Sequence, residues 1–156
     1  MLFLATFARR RTAVLVGLSI FISIFVRSAR ADEAADAKSV TEKFNKLMDA
    51  EDVDGVYQMS GEQTKRASSK QEILAGIRKW IQTKGGKAST RELVAARAIS
   101  EDEAHAMWPT ATAKGSVYVF RYRSEYPNGT FFEDIYVSRD SDGVLRVNGH
   151  APQPAN

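Results

Sequence analysis

Cysteine is absent from the 156 residues, which removes disulfides, thiolate nucleophiles, zinc–sulfur sites and an N-terminal lipid-modified cysteine from consideration. The fold has to hold by packing alone. Histidine occurs only twice, at His105 and His150, and there is no glycine-rich phosphate loop, nucleophile elbow or paired His/Cys metal motif. Four prolines and ten glycines leave no Pro-rich or Gly/Ser-rich linker to divide the chain. No uncharged apolar run is long enough for a bilayer-spanning helix, which needs about 20 residues. The longest run, Thr12 to Val26, has fifteen.

That short run follows Arg9, Arg10 and Arg11 and precedes Ser28-Ala29-Arg30-Ala31, the three parts of an export signal ending in small residues that a signal peptidase reads. Residues 1–31 are therefore expected to be a signal peptide and residues 32–156 a single domain. The protein is expected to be exported to a periplasmic or extracellular location. An uncleaved anchor is the alternative, because Arg27 and Arg30 resist translocation; the membrane would then be met only through this segment.

Residues 1–31 carry five arginines and no acid, which leaves 17 basic against 19 acidic side chains in the remainder. The basic balance of the whole chain thus belongs to the signal. A slightly acidic domain without a Lys/Arg stripe lacks the charge that grips phosphates, and nucleic acid is not an expected partner.

Along the domain, Ala37, Val40, Phe44, Leu47 and Met48 recur at helical spacing and predict a helix over about 34–50. Asp49, Glu51, Asp52, Asp54 and Gly55 interrupt it. Val53, Val56 and Tyr57 suggest a short second helix. Ser69-Lys70-Gln71-Glu72 has capping-box spacing, and Ile73, Leu74, Ile77, Trp80 and Ile81 form one apolar stripe that Gly85-Gly86 ends. The period then falls to two, predicting strands at 89–99, 117–126, 130–139 and 144–150.

Asn128-Gly129 marks a hairpin; its turn explains the Asn-Gly-Thr sequon more simply than glycosylation does. As a two-residue loop it puts Phe131 opposite Tyr126, Ile135 opposite Tyr122, and Arg123 opposite Asp134. A bulge at Gly143 would match Val137 to Leu145 and Ile135 to Val147. One face then carries Tyr118, Phe120, Tyr122, Tyr126, Phe131, Ile135, Val137, Leu145 and Val147. The other carries Arg121, Arg123, Glu125, Asp134, Arg146, Asn148 and His150, with Val117, Val119, Phe132 and Tyr136 as apolar islands. A solvated outer face is the simpler reading, and a homodimer interface over the islands is its competitor.

Three helices followed by a curved, mostly antiparallel four-stranded sheet predict an α+β fold with the helices lying across the apolar face. The order and sizes resemble the nuclear-transport-factor-2-like cone. The segments Arg91-Glu92-Leu93, 115–124 (Gly-Ser-Val-Tyr-Val-Phe-Arg-Tyr-Arg-Ser), Glu133, Asp142-Gly143 and Arg146-Val147-Asn148-Gly149 resemble the domain of unknown function 4019 family of small exported bacterial proteins. Leu145, His150 and Asp134 depart from its pattern, which tends to an aromatic, Tyr and Thr there. The resemblance implies an exported helix-plus-sheet domain and supplies no reaction.

Glu101 and His105, four apart beside Asp102 and Glu103, have the best metal-like spacing, but a loop of solvated acids is the commoner reading. No metal and no cofactor are expected. Trp80 and Trp108 read first as packing aromatics, with ligand stacking as the functional reading. Glu133 falls on the apolar face, where a carboxylate needs a partner or a raised pKa. Arg91 is the expected partner. The leading expectation is a non-enzymatic domain that binds a small apolar or amphipathic ligand, or a protein, through Trp80, Trp108, Tyr122, Tyr126, Arg91 and Glu133. The alternative is an isomerase or hydrolase with Glu133 as acid/base.

Overall fold

A computed structural model describes residues 31–107 and 114–155. Trp108 and the apolar run 12–26 lie outside them. The chain divides into Met1–Ala35, of which the described residues 31–35 are helical, and Asp36–Asn156, which holds every side-chain contact discussed below. Among the described residues no helix is long and apolar enough to cross a membrane.

Helix α1 covers residues 31–49 and buries Ala37, Phe44 and Met48, the face its spacing predicts. Asp52 caps α2 (Val53–Met59) by accepting from the Gly55 amide at 2.8 Å. A short α3 (Glu62–Ala67), which the sequence reading lacks, leads to α4 (Lys70–Lys84). The capping box forms as expected. The Ser69 hydroxyl accepts from the Glu72 amide, and Glu72 accepts from the Ser69 amide at 2.8 Å. Because the cap satisfies otherwise unpaired amides at the start of α4, Ser69→Ala should cost about 1 kcal/mol and lower the thermal midpoint by a few degrees, measurable by circular dichroism.

The strands β1 (Thr90–Ile99), β2 (Lys114–Tyr126), β3 (Gly129–Arg139) and β4 (Leu145–Pro154) form one curved antiparallel sheet in the order β1-β2-β3-β4. The α+β architecture is as expected. Between β1 and β2 runs α5 (Glu101–Met107), a helix in place of the loop of solvated acids that the sequence predicts. Ser100 caps α5 by accepting from the Glu103 amide at 3.1 Å, and three acids occupy its first turn, an arrangement that complements the helix dipole. Glu101 and His105 thus share a helix, 4.0 Å apart and exposed, and no three potential ligands gather around a metal position among the described residues.

Two corrections to the register matter. The β2–β3 turn is Pro127-Asn128, with Tyr126 paired to Gly129, so Phe120 faces Ile135, Tyr122 faces Glu133 and Ser124 faces Phe131. Proline has no N–H for a ladder and suits a turn corner. A two-residue shift moves every partner and leaves every side chain on its predicted face. It makes Arg121, not Arg123, the bidentate partner of Asp134, at 2.7 and 2.6 Å. The turn docks on the end of α4: the Asn128 amide donates to Thr83 O at 3.1 Å, and Gly85 is left-handed (φ 75°) with no room for a Cβ beside Asn128.

The second correction places the β3–β4 irregularity at Asn148, between the Tyr136–Gly149 and Val137–Val147 pairs, rather than at Gly143. Val137 therefore meets Val147, and Ile135 meets His150. One extra residue reverses the alternation, so His150 turns onto the helix-covered face instead of the outer one. Tyr136 helps fix this point, since a Cβ on Gly149 would lie 3.0 Å from its ring. The expected outer islands are partly covered by the chain itself: Val117 and Val119 are buried with Ile99, Ala104 of α5 and Tyr136.

Candidate functional site

Strands β1, β2 and β3 place Arg91, Ser124, Tyr126 and Glu133 on one face, the bulge adds His150, and α1 and α4 bring Asp49 and Lys84 onto them. Glu133 is 2 % exposed. Its carboxylate accepts from the Tyr126 hydroxyl at 2.8 Å and from His150 Nε2 at 3.0 Å, with Arg91 Nε 3.7 Å away. Burial pushes the Glu133 pKa up. The hydrogen bond and charge of His150, with the hydroxyls of Ser124 and Tyr126, outweigh burial and hold it at about 2. An ionised Glu133 accepts only, so Nε2 of His150 is the donor, and in the neutral ring the lone pair sits on Nδ1. Nδ1 has no protein partner among the described residues.

Arg91 meets Glu133 as expected, but its closest ion pair is with Asp49, bidentate at 2.7 and 3.1 Å. It also donates to Tyr126 at 2.7 Å and to Ser124 at 3.3 Å. Lys84 is fully buried, donates to Met48 O at 2.7 Å and lies 3.5 Å from Asp49. Burial lowers the Lys84 pKa although Asp49 opposes the shift. Burial likewise raises that of Asp49, and Arg91 overrides it, leaving the carboxyl below its ordinary value. Tyr126, buried beside Glu133, is raised. Two carboxylates, Asp49 and Glu133, thus lie against two basic side chains, Arg91 and Lys84, with the His150 ring beside Glu133.

This network closes the polar end of an apolar cleft of about 340 Å³ between α1, α2–α4 and β4. Phe44, Met48, Val56, Ile73, Ile77, Trp80, Val147 and Pro152 supply its apolar wall, and His150 is the one titratable lining residue among the described residues. Phe44 and Trp80 meet the His150 ring edge-on at 5.4 and 5.8 Å. Trp80 also packs edge-on against Phe131 and Tyr126, and its buried indole N–H has no acceptor among the described residues. Ile73, Gly76, Ile77 and Trp80 lie on one face of α4, and a Cβ at Gly76 would meet nothing within 4 Å. The stripe of α4 stays only half-buried, whereas a helix seated on a sheet normally buries it.

Of the expected site residues, Trp80, Tyr126, Arg91 and Glu133 come together here. Tyr122, although paired with Glu133 across β2 and β3, lines a different cleft with Arg91 and shares a 2.7 Å hydrogen bond with Thr41, and Trp108 lies outside the described residues. Glu133 is sealed behind His150, so the reachable ionisable group is the histidine. His150, Asp49 and Lys84 were not expected. Asp49 read as a helix breaker and Lys84 as a polar helix end; only the bulge, which left no clear mark in the sequence, exposes the role of His150.

Comparison with known families adds one relationship. The model for proteins of unknown function designated DUF4019 matches residues 40–150. No curated protein and no solved structure matches the chain.

Proposed function

From the premise that this chain belongs to the DUF4019 family, whose description assigns no activity, we propose that it is an exported binding protein for a small amphipathic ligand. The apolar body of the ligand lies along α4, and its polar head meets His150. The half-buried stripe of α4 above an apolar cleft carries this reading. Apolar surface held open in this way is costly to leave in water and is what a preformed ligand site offers. The unpartnered Nδ1 of His150 gives the head group a hydrogen-bonding position. The element order also supports a cone of the nuclear-transport-factor-2 type, in which such a cleft lies between helices and sheet.

Gly76 supplies the test. A glycine inside a helix costs about 1 kcal/mol relative to alanine, and no packing contact requires one here. Gly76→Leu should therefore raise the thermal midpoint while filling the cleft. The fluorescent probe 8-anilinonaphthalene-1-sulfonate, an aromatic body with one anionic head, should bind the wild-type chain and bind this variant at least about tenfold more weakly. Equal binding by both proteins would overturn the proposal.

A second reading draws on the His150–Glu133 bond, in which an ionised carboxylate orients an imidazole whose other nitrogen faces the cleft. Such a pair can perform general acid/base chemistry. Chemical conversion of a co-purified ligand that is lost in His150→Gln would assign that role to His150, with Glu133 as the positioning residue.

A further inference from the structure

A second cleft, of about 330 Å³, opens on the other side of Arg91, between α1 and strands β1 and β2. Among the described residues its wall carries three cationic side chains, Lys38, Lys46 and Arg91, one acid, Glu42, and Tyr122, whose hydroxyl is already bonded to Thr41. Lys38 and Glu42 are bonded to each other one helical turn apart. Lys46, exposed at the mouth, has no acidic partner among the described residues.

Deeper in the wall is Asn45, only 5 % exposed, whose side-chain amide makes no hydrogen bond among the described residues. Its polar atoms are not among those sealed from solvent without a partner, so the amide opens on the cleft it lines and is available to an outside partner. Arg91 has capacity as well. Nε donates to Ser124, Nη2 to Asp49 and Tyr126, and Nη1 to Asp49; a guanidinium has five N–H groups, which leaves one on Nη1.

We propose that this cleft is a binding site for a small organic carboxylate. One carboxylate oxygen accepts from the remaining Nη1 hydrogen of Arg91, the other from the Asn45 amide, and the Lys46 ammonium balances the charge at the mouth. The donors outnumber the acceptors and the local charge is positive, which selects an anion. Asp49, bound behind the guanidinium, disfavours a dianion and so points to a carboxylate rather than a phosphate. Leu93 in the same wall accommodates a short apolar tail. This site is separate from the His150 cleft, and its assignment stands whether or not that cleft binds a ligand.

Propionate and benzoate, titrated into the full chain at constant ionic strength, are the probes, with chloride and inorganic phosphate as controls. The carboxylates should raise the thermal midpoint and give saturable heats in titration calorimetry. Asn45→Leu keeps the side-chain volume and removes an amide that makes no internal hydrogen bond among the described residues, so it should fold about as stably as the wild type. It should bind carboxylate at least about tenfold more weakly. Lys46→Gln, on the surface, should weaken binding without changing the midpoint of the free protein, and it decides the matter should Asn45→Leu fail to fold. Stabilisation by phosphate that matches or exceeds that of the carboxylates would overturn the proposal. So would the absence of any carboxylate-specific effect, or unchanged binding in the variants.

Discussion

Arg91→Met should lower the thermal midpoint by roughly 10–20 °C, the largest loss expected from any single substitution in this protein. The guanidinium is the common partner of Asp49, Tyr126, Ser124 and Glu133. Its removal leaves Asp49 with Lys84 at 3.5 Å and the Ala88 amide at 3.4 Å and takes a positive charge from beside a nearly sealed Glu133. Breaking one side of a buried ion pair costs about 3–5 kcal/mol because the other charge stays buried. The geometry also ranks the rescues. Asp49 holds the bidentate contact whereas Glu133 is 3.7 Å from Nε, so adding Asp49→Leu to Arg91→Met should recover more stability than adding Glu133→Gln. Thermal melts of the three single and two double variants measure this, and small, additive effects would show that the cluster is solvated.

Acid should destabilise the fold steeply between about pH 4.5 and pH 2, with Glu133 supplying a large part of the slope. Its folded-state pKa of about 2 lies below the ordinary value of 4.5, so the unfolded chain takes up the proton first. The stabilisation is complete above the unfolded value and disappears as the pH falls through the folded one. A shift of this size corresponds to on the order of 3 kcal/mol. Asp49, whose pKa is also lowered, acts in the same direction. Urea unfolding of the wild type and Glu133→Gln across this range separates Glu133 from the other carboxylates, because the variant should show a distinctly shallower loss. Parallel curves would mean that Glu133 is not held ionised by His150 and Tyr126.

The two predictions rest on residues of unequal legibility. Glu133 and Arg91 could be found from alternation alone: both lie in strands, period two assigns their faces, and the two-residue error in the hairpin left those faces unchanged. Trp80 was equally visible, on a helical stripe with a capping box before it and glycines after it. His150 was not. Its face depends on the extra residue at Asn148, and that irregularity is set by Tyr136 packing on Gly149 and by Asn148 donating to Ser138 and Asp140 at 2.9 and 3.0 Å. These contacts run across the β3–β4 hairpin, so the period-two alternation within a single strand does not encode them.

What the sequence determined by itself was local in origin: the helix and strand periods, the cap at Ser69, the change from helices to an antiparallel sheet, the apolar face, and a family resemblance matched over residues 40–150. Each follows from backbone geometry and side-chain spacing within about one element. The tertiary structure decided which charges meet. Asp49, Lys84 and Arg91 come from α1, α4 and β1, and whether an acid serves as a helix breaker or a buried ion-pair partner depends on what another element brings against it. It likewise decided that the α4 stripe would stay half-open above a cleft, since a stripe has the same spacing whether it is packed or kept free for a ligand.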